Sequence, residues 1–286
     1  MHGIFSHEDI KKTYEELLWH KRSKDIIQEY ALNRTDIRTA ALQGLDLSRC
    51  TEVIDLGCGY GFFTEGLAGR LHSRARITGI DVVDHRNREA FENAVTCMGY
   101  RPVFIQGSAD MIRDMSSGRF DLVIASYSLY FFPHLIGEIA RILKKGGIFI
   151  TITHSERSLV ELIGFVMKSM REAGIAPPTE LKIRRLFCAF PLERGRDMLD
   201  PHFSGVEYIP YDNALAFPLD RFDACIDYID TKKHLLLKEV NEARPEAFDE
   251  VMSALVRNLY DHARSHGKVL VTKDDGIFRC TGPKRG

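Results

Sequence analysis

Apolar positions in this chain follow two periods, and the change between them marks out its parts. Ile10, Tyr14, Leu17 and Leu18 share one face of a helix over residues 6–30. Ser6 followed by Asp9 fits a capping box at its start. A shorter helix over Asp36–Gln43 has Gly44 as its stop. From residue 53 short apolar runs alternate with helical stretches. The runs at 53–56, 77–80, 103–105, 122–125 and 148–152 predict five strands. Leu122 to Ala125 is apolar without a break, as in strands buried on both faces. Between the runs lie helical patterns: Phe63, Leu67, Ala68 and Leu71 over 62–71, then Ala90 to Met98, then Leu135 to Leu143 closed by Lys144-Lys145-Gly146-Gly147. Strands alternating with helices predict a parallel, doubly wound α/β sheet with ligands at the carboxyl edges of its strands.

After His154 the alternation breaks down. Helices are expected over 156–173, from about Thr179, over 219–237 and over 245–266, the last closed by Gly267. Strand-like pieces stand at 206–211, 268–272 and 276–280. This gives a helical cap segment at 1–35, a ligand-binding α/β core at 36–154, and cap insertions with sheet-completing strands at 155–286. No internal repeat or low-complexity tract is visible.

Composition adds exclusions. With 44% hydrophobic and 28% charged residues the chain has an ordinary globular make-up. Its net charge of −1 argues against nucleic acid as a partner, since dedicated binders carry a basic excess. The six cysteines include no C-x-x-C pair and read as reduced thiols in a cytoplasmic protein. Residues 7–12 lack a signal-peptide apolar region, and no apolar run is long enough to span a membrane. The bulk numbers leave monomer and homodimer open.

The densest chemistry lies at 53–64, Val-Ile-Asp-Leu-Gly-Cys-Gly-Tyr-Gly-Phe-Phe-Thr. Gly57, Gly59 and Gly61 alternate directly after a strand, and glycines there let a ligand approach bare backbone. A dinucleotide-binding turn would read G-x-G-x-x-G. Here the spacing is G-x-G-x-G, with Asp55 two residues ahead. The stretch resembles the first motif of the class I S-adenosylmethionine (SAM)-dependent methyltransferases. Phe120-Asp121-Leu122-Val123 and Arg141-Ile142-Leu143-Lys144-Lys145-Gly146-Gly147 resemble that family's F-D-x-V and R-x-L-K-P-G-G, with Lys145 in place of proline. The resemblance covers about residues 36–154. It implies a mostly parallel, seven-stranded Rossmann-like methyltransferase sheet with a helical cap, SAM as cofactor and no metal. Within the family the chain looks most like the ubiquinone/menaquinone-biosynthesis group.

Asp81 ends the second strand, where nucleotide-binding α/β proteins hold the ribose; capping the next helix is its plainer role. Carried over position by position, the resemblance implies that Asp55, Gly57, Gly59 and Gly61 hold the methionine end, with the Ser126 backbone closing the far side. It places the adenine by Ala109 and Asp110, between Val82 and Met111. His154, at the end of the fifth strand, is the candidate general base, its plainer role being an imidazole hydrogen-bonded to structure, and Tyr127 is a second catalytic candidate. Tyr14, Tyr127 and Tyr130 are candidates for holding the substrate by their aromatic faces.

Missing features narrow the acceptor. Ser126-Tyr127-Ser128-Leu129 is not the Asn/Asp-Pro-Pro-aromatic segment of enzymes that methylate base amines or glutamine amides. No acidic cluster resembles the metal site of catechol-type enzymes. The cysteines are too scattered for an arsenite-type site. Lys182, Arg184, Arg185, Arg194 and Arg196 are interleaved with acids and read as a solvated face. The expected activity is in-line methyl transfer from SAM to an O, N or C nucleophile of a small molecule. The alternatives are methylation of tRNA or a protein side chain, and a non-catalytic SAM-binding module.

Overall fold

The structure, a computed structural model, describes Phe5 and residues 17–83 and 85–284. The first part of the expected N-terminal helix, Tyr14 included, lies outside the described residues. In chain order the strands are β1 (Glu52–Leu56), β2 (Arg76–Asp81), β3 (Arg101–Gln106), β4 (Phe120–Ser126), β5 (Leu143–His154), β6 (Phe203–Tyr211), β7 (Ala214–Pro218), β8 (Lys268–Thr272) and β9 (Asp275–Pro283). The chain divides into two compact units.

One unit comprises residues 35–155, 189–211 and 275–286. Its seven-stranded sheet runs β3-β2-β1-β4-β5-β9-β6. The first five strands pair in parallel, and β9 is antiparallel to both β5 and β6. Of the two strand-like tail pieces, 276–280 is therefore the one that pairs with 206–211, as β9 with β6. Val53, Ile77, Leu122, Ile124, Ile150, Ile152 and Ile277 build the core, with Phe63 and Phe91 packed among them. Gly79 is needed there for space: a Cβ would meet Cys58 Sγ at 2.6 Å and the Phe91 ring at 2.7 Å. Asp121 ties strand starts together, accepting from the N–H groups of Thr51 and Glu52 and pairing with Lys144 at 2.7 Å. Burial pushes its carboxyl up, but the Lys144 ammonium and the backbone donors outweigh burial and hold it below the usual range.

Two local expectations are corrected. The helix expected over 62–71 is only a 3₁₀ turn, Thr64–Leu67, because Gly69 takes φ +69° and the helical path cannot continue through it. Lys144 and Lys145 do not end a helix. The helix Ile136–Ile142 stops before them and β5 begins at Leu143, so the Lys144 ammonium answers Asp121 instead of a helix dipole.

The second unit comprises residues 1–34, 156–188 and 212–274. Its described helices are Leu17–Tyr30, Val160–Glu172, Lys182–Phe187, Phe222–Asp230, Lys233–Leu236, Lys238–Ala243 and Phe248–His266. Along the longest of these, Val251, Ala254, Leu255, Leu259 and Ala263 form the buried stripe, and Gly267 at φ +77° ends it. Strands β7 and β8 make a separate antiparallel pair in this unit. No described helix is long and apolar enough to cross a membrane.

Candidate active site

The carboxyl edge of β1, β4, β2 and β5 gathers most of the residues singled out above. At the end of β1 the chain turns through Gly57, Gly59 and Gly61 at φ +71°, +50° and +89°, values that L side chains rarely adopt. Gly57 is also confined, since a Cβ there would lie 2.6 Å from Ser128 Cβ. Gly59 faces open space, and no atom would lie within 4 Å of its Cβ. A ligand can therefore lie directly on the Gly59 backbone.

Asp81, the last residue of β2, fixes the turn. Its Oδ2 accepts the Gly59 N–H and its Oδ1 the Val83 N–H, both at 2.8 Å. Burial raises its carboxyl above the ordinary range against the pull of these donors. Each oxygen retains a second acceptor direction, which suits a pair of ribose hydroxyls.

Asp55 is almost wholly buried, and one of its oxygens accepts the Thr64 hydroxyl at 2.8 Å. Its other oxygen, Oδ1, has no partner, and neither has the buried Ser126 Oγ at the end of β4. Buried polar atoms without partners are uncommon. These two stand at the ends of adjacent strands, on either side of the glycine turn. An ammonium above the turn would answer Asp55, so the residues present fit the amino-acid end of SAM.

After β3, Ser108 caps a 3₁₀ turn, Ala109–Asp114, by accepting the Asp110 N–H. Asp110 is exposed, and its carboxylate is shared by His134 at 3.0 Å and the Ser108 hydroxyl at 2.9 Å. His134 first, then Ser108 and Arg113, hold it below the usual carboxylate range. Met111 is 42% exposed, which leaves an apolar surface uncovered beside buried Ala109. Val82 is half-buried. The arrangement offers an acceptor and a hydrophobic face to a flat ring.

His154 is the last residue of β5, and β9 delivers an acid opposite it in the register, Asp275. Asp275 is 1% exposed. Its Oδ1 lies 2.7 Å from His154 Nδ1, and its Oδ2 accepts the Tyr127 hydroxyl at 2.7 Å. A neutral ring that donates from Nδ1 carries its lone pair on Nε2. Tyr127 adopts φ +55°, a conformation non-glycine residues hold only when their surroundings impose it. Its N–H donates to the Ile152 carbonyl and its phenol to Asp275, fixing both ends. Burial and then the Asp275 charge raise this phenol well above its usual range, so it stays protonated and acts as a donor. The rings of Tyr127 and Tyr130 lie 4.8 Å and 5.7 Å from that of His154.

Asp275 was not among the residues expected from sequence. In the sequence it belongs to a turn-like Asp-Asp-Gly, and its place opposite His154 follows only once β5 and β9 are paired. Among the described residues no group of three His, Cys, Asp or Glu side chains is arranged to hold a metal ion.

A sequence model of the family described as a methyltransferase domain matches residues 47–187. A probable cobalt-precorrin-6B C(15)-methyltransferase (decarboxylating) of Saccharolobus solfataricus is 26% identical over 168 residues, covering 54% of this chain and 82% of that protein. Among solved structures, the cyclopropane synthase MmaA2 of Mycobacterium tuberculosis superposes with a TM-score of 0.53 at 13% identity, covering 97% of this chain and 99% of that one. Phosphoethanolamine N-methyltransferase 2 of Haemonchus contortus, in complex with SAM, gives 0.53 at 14% identity, covering 98% of this chain and 60% of that one. These names point to different products, so the relatives do not single out the quinone-biosynthesis branch. Strand order, glycine turn and family match agree, and residues 47–187 form a methyltransferase domain of the class I SAM-dependent family.

Proposed function

We propose that this methyltransferase acts on a small molecule, and that His154 takes the proton from its nucleophile. The observation that carries this reading is the 2.7 Å contact between His154 Nδ1 and the buried Asp275 carboxylate. An acid that holds one imidazole nitrogen as a donor leaves the other as the basic one. SAM supplies a methyl group already activated by its sulfonium charge. The chain must then hold the nucleophile in line with that methyl, about 3 Å away, and keep water out.

In this reading Asp55, Gly57, Gly59 and Gly61 hold the methionine end, with Ser126 closing its far side. Asp81 takes the ribose. Val82, Ala109, Asp110 and Met111 take the adenine. Tyr127 positions Asp275 and does not itself exchange protons, and Tyr130 offers an aromatic face beside the imidazole. A small acceptor is favoured over nucleic acid by the near-balanced charge of −1. The names of the relatives, a precorrin and a phosphoethanolamine enzyme, support the same class.

The test is label transfer from methyl-labelled SAM to a fractionated cell extract. Label should appear in the low-molecular-weight fraction with the wild-type protein and be lost with His154→Ala, while SAM affinity stays unchanged. Label confined to protein or RNA would overturn the small-molecule reading. Full transfer by His154→Ala would overturn the assignment of the base.

A further inference from the structure

The α/β unit opens on a short helix, Ile37–Leu42, that lies against the segment following the glycine turn. With six residues it is too short to hold itself. It is fixed at both ends. The Asp36 carboxylate caps its start by accepting the N–H groups of Arg38 and Thr39. At its other end Arg279 of β9, 9% exposed, donates from Nε to the Ala41 carbonyl at 2.9 Å and from Nη2 to the Ala40 and Gln43 carbonyls, both at 2.8 Å. A cation on the last carbonyls also suits the helix dipole.

The helix thereby presents Arg38 to residues 62–65. Nε and Nη2 of its guanidinium donate to Asp36, Nη2 at 2.8 Å. Nη1 donates to the Phe62 carbonyl at 3.0 Å and to the Glu65 carboxylate at 3.2 Å. The guanidinium carbon also lies 4.6 Å from the centre of the Phe62 ring. Thr64 stands between the two residues that Nη1 holds, and its hydroxyl donates to the buried Asp55 at 2.8 Å. Packing here is close: a Cβ on Gly66 would lie 3.3 Å from both Arg38 Cβ and Leu42 Cδ1. Left to itself the segment would hold Thr64 loosely. It is a single 3₁₀ turn between Gly61 and Gly69, both at positive φ. Exposed ion pairs contribute little, but the Arg38 side chain is only 16% exposed and forks across three partners, an arrangement that lysine cannot reproduce.

We propose that Arg38 is a positioning residue for SAM, fixing Phe62 to Glu65 so that the Thr64 hydroxyl holds Asp55 in place for the amino-acid end of the cofactor. This role rests on the Asp55 assignment made above. Arg38 acts through Thr64 and makes no contact with the cofactor itself.

The test is calorimetric binding of SAM and of methylthioadenosine, which keeps the nucleoside and lacks the amino-acid end, well below the Tm of every variant. Arg38→Gln should weaken SAM about tenfold, as when a charged hydrogen bond is lost, and leave methylthioadenosine unchanged. Arg38→Lys keeps the charge without the fork and should show the same selectivity in smaller degree. Thr64→Val should weaken SAM like Arg38→Gln, and the double variant should be no worse than either single one, because both break one linked set of contacts. Thr64→Ser keeps the hydroxyl and should bind SAM like wild type. Equal weakening of both ligands by Arg38→Gln, unchanged SAM affinity, or additive losses in the double variant would each overturn the proposal. The double variant needs SAM alone, so it decides even where methylthioadenosine binds too weakly to measure. Asp55→Asn separates this role from the assignment beneath it. If Asp55→Asn weakens SAM selectively and Arg38→Gln does not, Asp55 stands and only the role of Arg38 falls. If Asp55→Asn leaves the preference for SAM over methylthioadenosine as in wild type, the Asp55 assignment falls and the role of Arg38 with it.

Discussion

Asp275 and His154 face each other across the β5–β9 register, with Oδ1 of the acid 2.7 Å from Nδ1 of the imidazole. The acid is fully buried and also accepts the Tyr127 phenol. With His154 as the base proposed above, this acid sets which ring nitrogen takes the proton. Asp275→Asn is expected to lower kcat by about a hundredfold, within the usual range for losing general-base catalysis, with SAM affinity unchanged. Tyr127→Phe removes only the second donor and should cost about tenfold. Steady-state kinetics beside SAM calorimetry checks both. If SAM affinity falls in step with kcat, the pair supports the cofactor site and not the base.

Asp55 gives a pH prediction. Burial pushes its carboxyl up to about 7, with the Asp81 charge adding and the Thr64 hydroxyl opposing. The folded pKa is raised, so the native state holds this proton after the unfolded chain has lost it. Stability from this group is present below about pH 4 and declines as the pH rises to 7. An ammonium above the turn favours the ionised form. SAM binding at pH 6 should therefore release close to one proton, and the Tm gain from SAM should be larger at pH 8 than at pH 5.5. Calorimetry in two buffers of different ionisation enthalpy measures the release. Asp55→Asn should abolish it.

Asp81 has two duties that one substitution separates poorly. Asp81→Ala should weaken SAM binding by roughly 1–3 kcal/mol if a buried ribose contact is lost. It also leaves the Gly59 and Val83 N–H groups without their acceptor, so Tm should fall without SAM as well. Asp81→Asn keeps an acceptor oxygen and should recover part of the Tm loss. Unchanged SAM affinity in Asp81→Ala would remove Asp81 from the ribose site.

The glycines of the turn should differ from each other. Gly57→Ala meets Ser128 at 2.6 Å and a left-handed backbone, so a lower Tm should dominate. Gly59→Ala has room for its Cβ and should cost only about 1–2 kcal/mol of backbone strain. Its methyl group occupies the space a ligand would use, so SAM affinity should fall more than stability. Denaturation and calorimetry on both variants distinguish the two effects.

The parallel strands were legible because each is a short apolar run, and Gly57 to Gly61 because few other residues could supply those φ values. The 3₁₀ turn at Thr64–Leu67 was not legible. Phe63, Leu67 and Leu71 keep helical spacing, and only the left-handed Gly69 breaks the path. Strand β7 was missed because Ala214–Pro218 is five residues long and ends in proline. In the candidate site, Asp55, Asp81 and His154 could be nominated from sequence because each stands at or next to the end of a parallel strand. Asp275 could not, since an antiparallel strand brings its first residue to that edge.

Strand β9 comes last in chain order, yet it lies between β5 and β6 in the sheet's interior. During synthesis β5 and β6 leave the ribosome long before the segment that joins them. Until β9 arrives, both keep an open edge of the kind that invites wrong pairing. The same segment brings Asp275, so a nascent chain already able to form the glycine turn would still lack the acid beside His154. The glycine turn can thus form before the pair proposed as the base is complete, with one late strand closing the sheet and supplying that pair's acid.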